Sequence, residues 1–232
     1  LRSFKPTEEE YRTIYLLTKA ANQDPQSPRL LPIGSADNPA LVHLQADIEA
    51  AYQNGVKRVV YASSIHAVGM YKSADKIGVD VPHRPDTYYG LAKCFAEDLG
   101  SMYWDKRGLE SVHMRILSCA QVNNARALGS WLSYDDLVQL VRRCIETPVT
   151  GFSVIYGVSN NDRVPVDNAN ASFLGYRPED NAEQFAEKVL ANDPPMDPQD
   201  PGHMCHGGPF ASVELGNSGT AQMNIVNDKK ET

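Results

Sequence analysis

The chain has 232 residues, 42% of them hydrophobic, and a formal net charge of -7 without any block of Lys or Arg, so it can bury one sizeable core and is a poor candidate for binding nucleic acid or an acidic membrane surface. No apolar run approaches the ~20 residues of a membrane span, and the opening LRSFKPTEEE lacks the apolar core of a signal peptide. A soluble, cytoplasmic protein that acts on a small molecule is the expectation, and Cys94, Cys119, Cys144 and Cys205, which lack paired spacing, read as reduced thiols.

Thr7 and Glu10 form a capping box ahead of Tyr11, Ile14 and Leu17, which predicts a helix to about Ala21. Residues 22–39 hold four prolines and read as a loop, within which Leu30–Ile33 has the composition of a short strand. Leu41, Leu44, Ile48 and Ala51 predict a helix over Ala40–Gln53, closed by Asn54-Gly55. The β-branched and aromatic run Arg58–Ala62 is then a buried strand ending at Ser63-Ser64. Helix, short turn and strand make half of a parallel crossover unit. After Pro85, Asp86 or Thr87 caps a helix that carries Tyr89 and Lys93 and ends near Gly108. Leu109–Ile116 is the next strand, with Leu117, Ser118 and Cys119 at its end. Gln121–Gly129 has little apolar periodicity and contains Arg126, and Ser133 with Asp136 caps a helix bearing Leu137, Leu140, Val141 and Cys144 that stops before Pro148. Phe152–Tyr156 reads as a short strand, Val166–Leu174 as a short helix and Ala182–Ala191 as an amphipathic one. From there prolines, then Gly, Ser and Asn, predict a flexible tail. The fold class is α/β, a parallel sheet flanked by helices, divided into an atypical N-terminal segment (1–49), a main domain (50–192) and a tail (193–232).

Tyr89 and Lys93, four residues apart, project from one face of their helix, downstream of a strand that ends in a serine pair. A cation favours a neighbouring phenolate and so lowers the phenol's pKa, and the Ser64 hydroxyl can hold the oxygen of a substrate beside it. The same spacing at Tyr15 and Lys19 lacks the strand and the serines, and there it predicts only a packed tyrosine and a solvated lysine. His203, Cys205 and His206 lack a second ligand pair, so no metal site is expected.

In order along the chain, the strand with Ser63-Ser64, then Val68-Gly69, Arg84-Pro85-Asp86 and Tyr-Gly-Leu-x-Lys resemble the extended short-chain dehydrogenase/reductases, the NAD-dependent epimerase/dehydratase family, and within it most of all the uronate dehydrogenases. RPDTYYGLAKCFAEDL is similar to the family's active-site helix, MRILSC to its next strand and loop, NARALGSWLSYDDL to the following segment and FLGYRPEDNAEQF to its C-terminal part, over roughly residues 50–210. The resemblance implies a Rossmann-like sheet, with Ser64 as catalytic serine, Tyr89 as proton acceptor, and both Tyr89 and Lys93 on the nicotinamide ribose of NAD. It places Cys119 against the cofactor and gives Ser64, His66, Ser118 and Arg126 to the substrate. Read by themselves, His66 satisfies a backbone group and Arg126 is a surface arginine; the family position makes Arg126 the planar fork that a uronic acid carboxylate suits. Arg115, inside a strand, is expected to have a structural partner instead. The implied reaction is NAD-dependent oxidation at C1 of a hexuronate (galacturonate or glucuronate) to the aldarolactone. A sugar or nucleotide-sugar epimerase or dehydratase and a truncated non-catalytic relative are the alternatives. A small sugar acid and a homo-oligomer are the implied partners.

Two positions depart from that pattern. Ile65 stands where the uronate dehydrogenases place asparagine, so one side-chain hydrogen bond to substrate is lost. The Gly-x-x-Gly-x-x-Gly turn that brings backbone N–H groups to a pyrophosphate is absent, since Gly34, Gly55, Gly69 and Gly78 are the only glycines before the Tyr89 helix. The first strands of the Rossmann half therefore read as missing or replaced, and weak binding of NAD is expected.

Overall fold

The computed structural model describes residues 39–195 and 197–213. The helix predicted from Thr7, the short strand at Leu30–Ile33 and the Tyr15/Lys19 pair lie outside them. Helix α1 (Pro39–Gln53) leads through Gly55, whose positive φ of 66° reverses the chain, into strand β1 (Arg58–Ser64). Helix α2 (Tyr88–Arg107) follows, then β2 (Glu110–Ile116), the single turn α3 (Ala127–Ser130), α4 (Tyr134–Glu146) and β3 (Phe152–Gly157). The three strands form one parallel sheet in the order β1-β2-β3, with Val60 opposite Val112 and Met114 opposite Ile155. Parallel neighbours require crossover helices, and α2 and α4 supply them.

Burial follows the sequence pattern. Val60, Val112, Met114 and Ile155 of the strands meet Leu140 and Cys144 of α4 and Leu174 beyond β3 in one core. Ile48 and Ala51 of α1 pack with Val59 of β1 and with Leu99 and Tyr103 of α2 in another. Ser133 caps α4 as predicted, its hydroxyl accepting from the Asp136 N–H at 3.0 Å. Strand β1 runs two residues beyond the predicted Ala62, because Ser63 and Ser64 still pair with Arg115 and Ile116. The helix predicted over Val166–Leu174 is a 3-10 segment at Ala169–Leu174, and that over Ala182–Ala191 is a 3-10 turn running into the short helix α5 (Ala186–Leu190). No helix among the described residues is long and apolar enough to cross a membrane.

Two sequence divisions do not coincide with structural breaks. Helix α1 runs unbroken across residues 49 and 50. The reading of residues 193–232 as flexible does not hold for Pro201–Ser212, which forms the turn α6 (Pro201–Met204) and a 3-10 segment (Gly208–Ser212). Composition misled there because the segment is held by backbone atoms: Lys72 and Cys205 form an antiparallel bridge, and the N–H groups of Ser73, His206 and Gly207 donate to Met204 O, Tyr71 O and Gly69 O at 2.8, 2.9 and 2.9 Å.

Candidate active site

The carboxyl end of β1 sets the first group. Ser64 is extended (φ -150°, ψ 152°) and its side chain accepts from the His66 N–H at 3.3 Å, opening a 3-10 turn (Ile65–Val68) whose Ile65 and Val68 are fully buried. Ile65, the departure from the uronate dehydrogenase pattern, is thus an anchor of the turn, packed in one core with Val68, Ile77 and Tyr156. The second group comes from α2, where Thr87 rather than Asp86 is the cap, accepting from Gly90 N–H at 3.1 Å. This start sets Tyr89 beside the turn that follows Ser64, its ring edge-on to His66 at 5.5 Å, and puts Lys93 one turn behind. The Lys93 ammonium donates to Ala62 O at 2.7 Å and lies 5.2 Å from the Tyr89 ring centre and 4.9 Å from that of Tyr61.

Burial pushes Lys93, only 9% exposed, down to about 8, against the opposing charge of Glu97. The phenol of Tyr89 departs from expectation. Burial raises its pKa, and the Ser64 hydroxyl offsets this only in part, while the Asp86 carboxylate raises it further. The expected lowering by Lys93 is not seen because the ammonium faces the ring and Ala62 O and does not address the phenol oxygen.

His66 and Arg126 complete the cluster through two residues that the sequence did not mark for chemistry. His66 Nδ1 lies 2.6 Å from the fully buried carboxylate of Asp86, and its ring stacks on Phe210 (4.1 Å between centres, 30°) and meets the Tyr89 ring edge-on at 5.5 Å. Arg126, just ahead of α3, donates from Nη2 to His206 O at 2.6 Å. A methyl group on Gly208, at φ 60°, would collide with that guanidinium. Burial pushes Arg126 down from its ordinary value and the charge of Asp86 opposes the shift. Asp86 reads in sequence as a helix cap, and the Arg84-Pro85-Asp86 triplet is the signal that could have found it; Phe210 lies in a segment without periodicity and carries no such signal.

Ser118 and Cys119 follow β2, the strand beside β1. Ser118 bridges Trp131, and its carbonyl accepts from Leu132 N–H at 2.7 Å, so its backbone has the ordinary role of joining loop to sheet. Burial raises the Cys119 thiol. Among the described residues neither side chain bonds to Ser64, His66, Tyr89, Lys93 or Arg126, and both follow the strand that pairs with β1. Arg115 has the structural partner expected of it: its Nε and Nη2 donate to Glu97 at 3.0 and 2.7 Å.

A model of the NAD dependent epimerase/dehydratase family matches residues 41–126. Uronate dehydrogenase from Pseudomonas putida is 47% identical over 164 residues, 70% of this chain and 61% of that protein. The crystal structure of uronate dehydrogenase from Agrobacterium tumefaciens superposes with a TM-score of 0.74 at 40% identity, covering 81% of this chain and 71% of that one. This chain belongs to the NAD-dependent epimerase/dehydratase family. A second solved structure, glucuronic acid dehydrogenase from Chromohalobacter salexigens, superposes with a TM-score of 0.74 at 38% identity over 76% of this chain and 67% of that one. The chain spans about three fifths of the length of the curated relatives it matches.

The epimerase/dehydratase fold carries a dinucleotide across the carboxyl ends of its strands. The residues present there fit the nicotinamide-ribose end. An ammonium offers three N–H donors, and Lys93 gives one to Ala62 O at the end of β1. That leaves donors for the two hydroxyls of a ribose, with the Cys119 thiol on the neighbouring strand end. Among the described residues the loops after β1, β2 and β3 contain no glycine cluster, so the pyrophosphate end finds no amide cradle there.

Proposed function

We propose that this protein is an NAD-dependent dehydrogenase that oxidises the C1 hydroxyl of a hexuronate, galacturonate or glucuronate, to the aldarolactone. The observation that carries this reading is the convergence of Ser64, at the carboxyl end of a parallel strand, with Tyr89 of α2, whose ring meets His66 edge-on at 5.5 Å and lies 5.2 Å from the Lys93 ammonium, and with Arg126 nearby. Ser64 donates to the C1 oxygen and holds it against Tyr89, which takes the hydroxyl proton as general base. Lys93 holds the ribose hydroxyls and supplies the positive charge that the deprotonated phenol needs. His66 and Ser118 hold ring hydroxyls, and the N–H groups that Arg126 does not give to His206 O bind the carboxylate. Cys119 lies against the nicotinamide. NAD, when bound, accepts the hydride from C1. A cytoplasmic setting agrees with the four free cysteines. Association of copies agrees with the exposed Leu91 and Met102 on α2.

The test is hexuronate-dependent formation of NADH by the purified chain. Because the sequence lacks the glycine turn, NAD should bind only at roughly millimolar concentration, equivalent to about -4 kcal/mol, and the assay needs NAD in that range. Micromolar binding by calorimetry would mean that another part of the chain makes a phosphate site; absence of NADH formation at saturating NAD would overturn the reading. Replacing Arg126 with lysine should raise KM for galacturonate about tenfold and leave galactose unaffected, since a point charge cannot reproduce a bidentate fork. Equal losses on both sugars would remove Arg126 from the carboxylate.

A further inference from the structure

Asp86 is placed with more care than a helix cap needs. Its side chain is fully buried and sits where three stretches converge, the turn at 66–69, the start of α2 and the segment 206–208. A methyl group on either Gly69 or Gly207 would fall on the carboxylate, so two glycines keep its chamber open. One oxygen accepts from the Thr87 hydroxyl at 2.9 Å and the other lies 2.6 Å from His66 Nδ1. A carboxylate only accepts hydrogen bonds, so this contact requires the proton on Nδ1. Phe210 stacked on the ring fixes its plane, and with Nδ1 committed, Nε2 is the nitrogen left for a ligand.

We propose that Asp86 is a positioning residue that holds His66 as its Nδ1–H tautomer, so that Nε2 meets the substrate as an acceptor and selects a sugar hydroxyl that donates to it. The tautomer stands on the His66–Asp86 geometry alone; the hydroxyl it meets rests on the hexuronate reading above. An asparagine of the same shape can turn its amide N–H toward Nδ1, which would move the ring proton to Nε2 and present the ligand with a donor.

Two readouts separate these claims. The 15N shifts of the His66 ring in the whole protein, without ligand, should report Nδ1–H, and in Asp86→Asn should report Nε2–H. A wild-type Nε2–H form would overturn the proposal, and so would the same tautomer in both proteins. If Asp86→Asn does not fold, the wild-type spectrum still decides. Kinetics then tests the consequence with galacturonate and analogues lacking one ring hydroxyl each. The wild type should discriminate against one analogue by tenfold to a hundredfold in kcat/KM, chiefly through KM, and Asp86→Asn should lose that discrimination. Discrimination unchanged in a variant whose tautomer has moved would overturn the selective role. Should no hexuronate be oxidised by either protein, the hexuronate reading fails, while the spectra still accept or reject the tautomer.

Discussion

Replacing Glu97 with alanine should cost about 3–5 kcal/mol of stability, the largest loss expected from any single side chain of the sheet–helix layer. Glu97 is 1% exposed on α2 and accepts from Ser63 Oγ at 2.5 Å and from Arg115 Nε and Nη2, while His83 Nε2 lies 2.8 Å from it. Truncation leaves the Arg115 guanidinium, 2% exposed, without a counter-charge. In thermal unfolding the loss should appear as a fall of roughly 10 °C or more. A double variant with methionine at 97 and 115 should recover much of it, because two charges then leave the core together. The pH dependence has a definite sign. Burial alone would raise the Glu97 carboxyl, but hydrogen bonds from His83, Arg115 and Ser63 hold it down to about 2, below its ordinary 4.5. A lowered carboxyl stabilises the fold above the unfolded value and loses that contribution as pH falls from about 4.5 through about 2, so the gap between wild type and variant should close across this window. A gap below about 1 kcal/mol at pH 7 would mean that Arg115 finds another partner.

Replacing Tyr89 with phenylalanine should lower kcat by roughly a hundredfold to ten-thousandfold, the range that a positioned general base contributes. It removes a single oxygen, and Lys93 keeps its contacts with the ring and with Ala62 O, so NAD affinity should stay within a few-fold. Steady-state rates and calorimetry on the same preparation check both halves. Because burial and Asp86 raise the phenol's pKa, kcat/KM of the wild type should climb with pH above neutrality, whereas the residual rate of the variant should not. A variant that kept more than a tenth of the wild-type rate would remove Tyr89 from the proton transfer.

The sheet and its crossover helices were readable because their signals are local. Arg58–Ala62 is β-branched and bounded by Asn54-Gly55, Ser133 and Asp136 mark the start of α4, and one chain period places Tyr89 above Lys93. What escaped the sequence depends on pairings between distant residues. Arg58 and Glu110 form an ion pair 52 residues apart, and Thr150 Oγ1 completes it by donating to Glu110 at 3.1 Å. The Pro/Gly-rich stretch after residue 200 looked formless because its order comes from main-chain bonds to residues 69–73, which leave no side-chain period. The direction of the Tyr89 shift was misjudged for a related reason: spacing along the helix reveals that an ammonium is near, but whether it addresses a ring face or an oxygen is decided by Ala62 O, which belongs to β1.

The chamber around Asp86 also constrains how this sequence can change. Gly69 and Gly207, 138 positions apart, each have a side chain's worth of space filled by the same carboxylate. Substitutions at the three positions are therefore not independent events. A chain that still carries Asp86 cannot accept alanine at either glycine without displacing the group that His66 leans on, whereas a chain in which residue 86 has first become smaller can accept it at one of the two. The order of mutations then matters. Once such a glycine is filled, restoring aspartate at 86 meets a collision, so loss of this carboxylate is a step that a lineage could take easily and retrace only by reopening the glycine first.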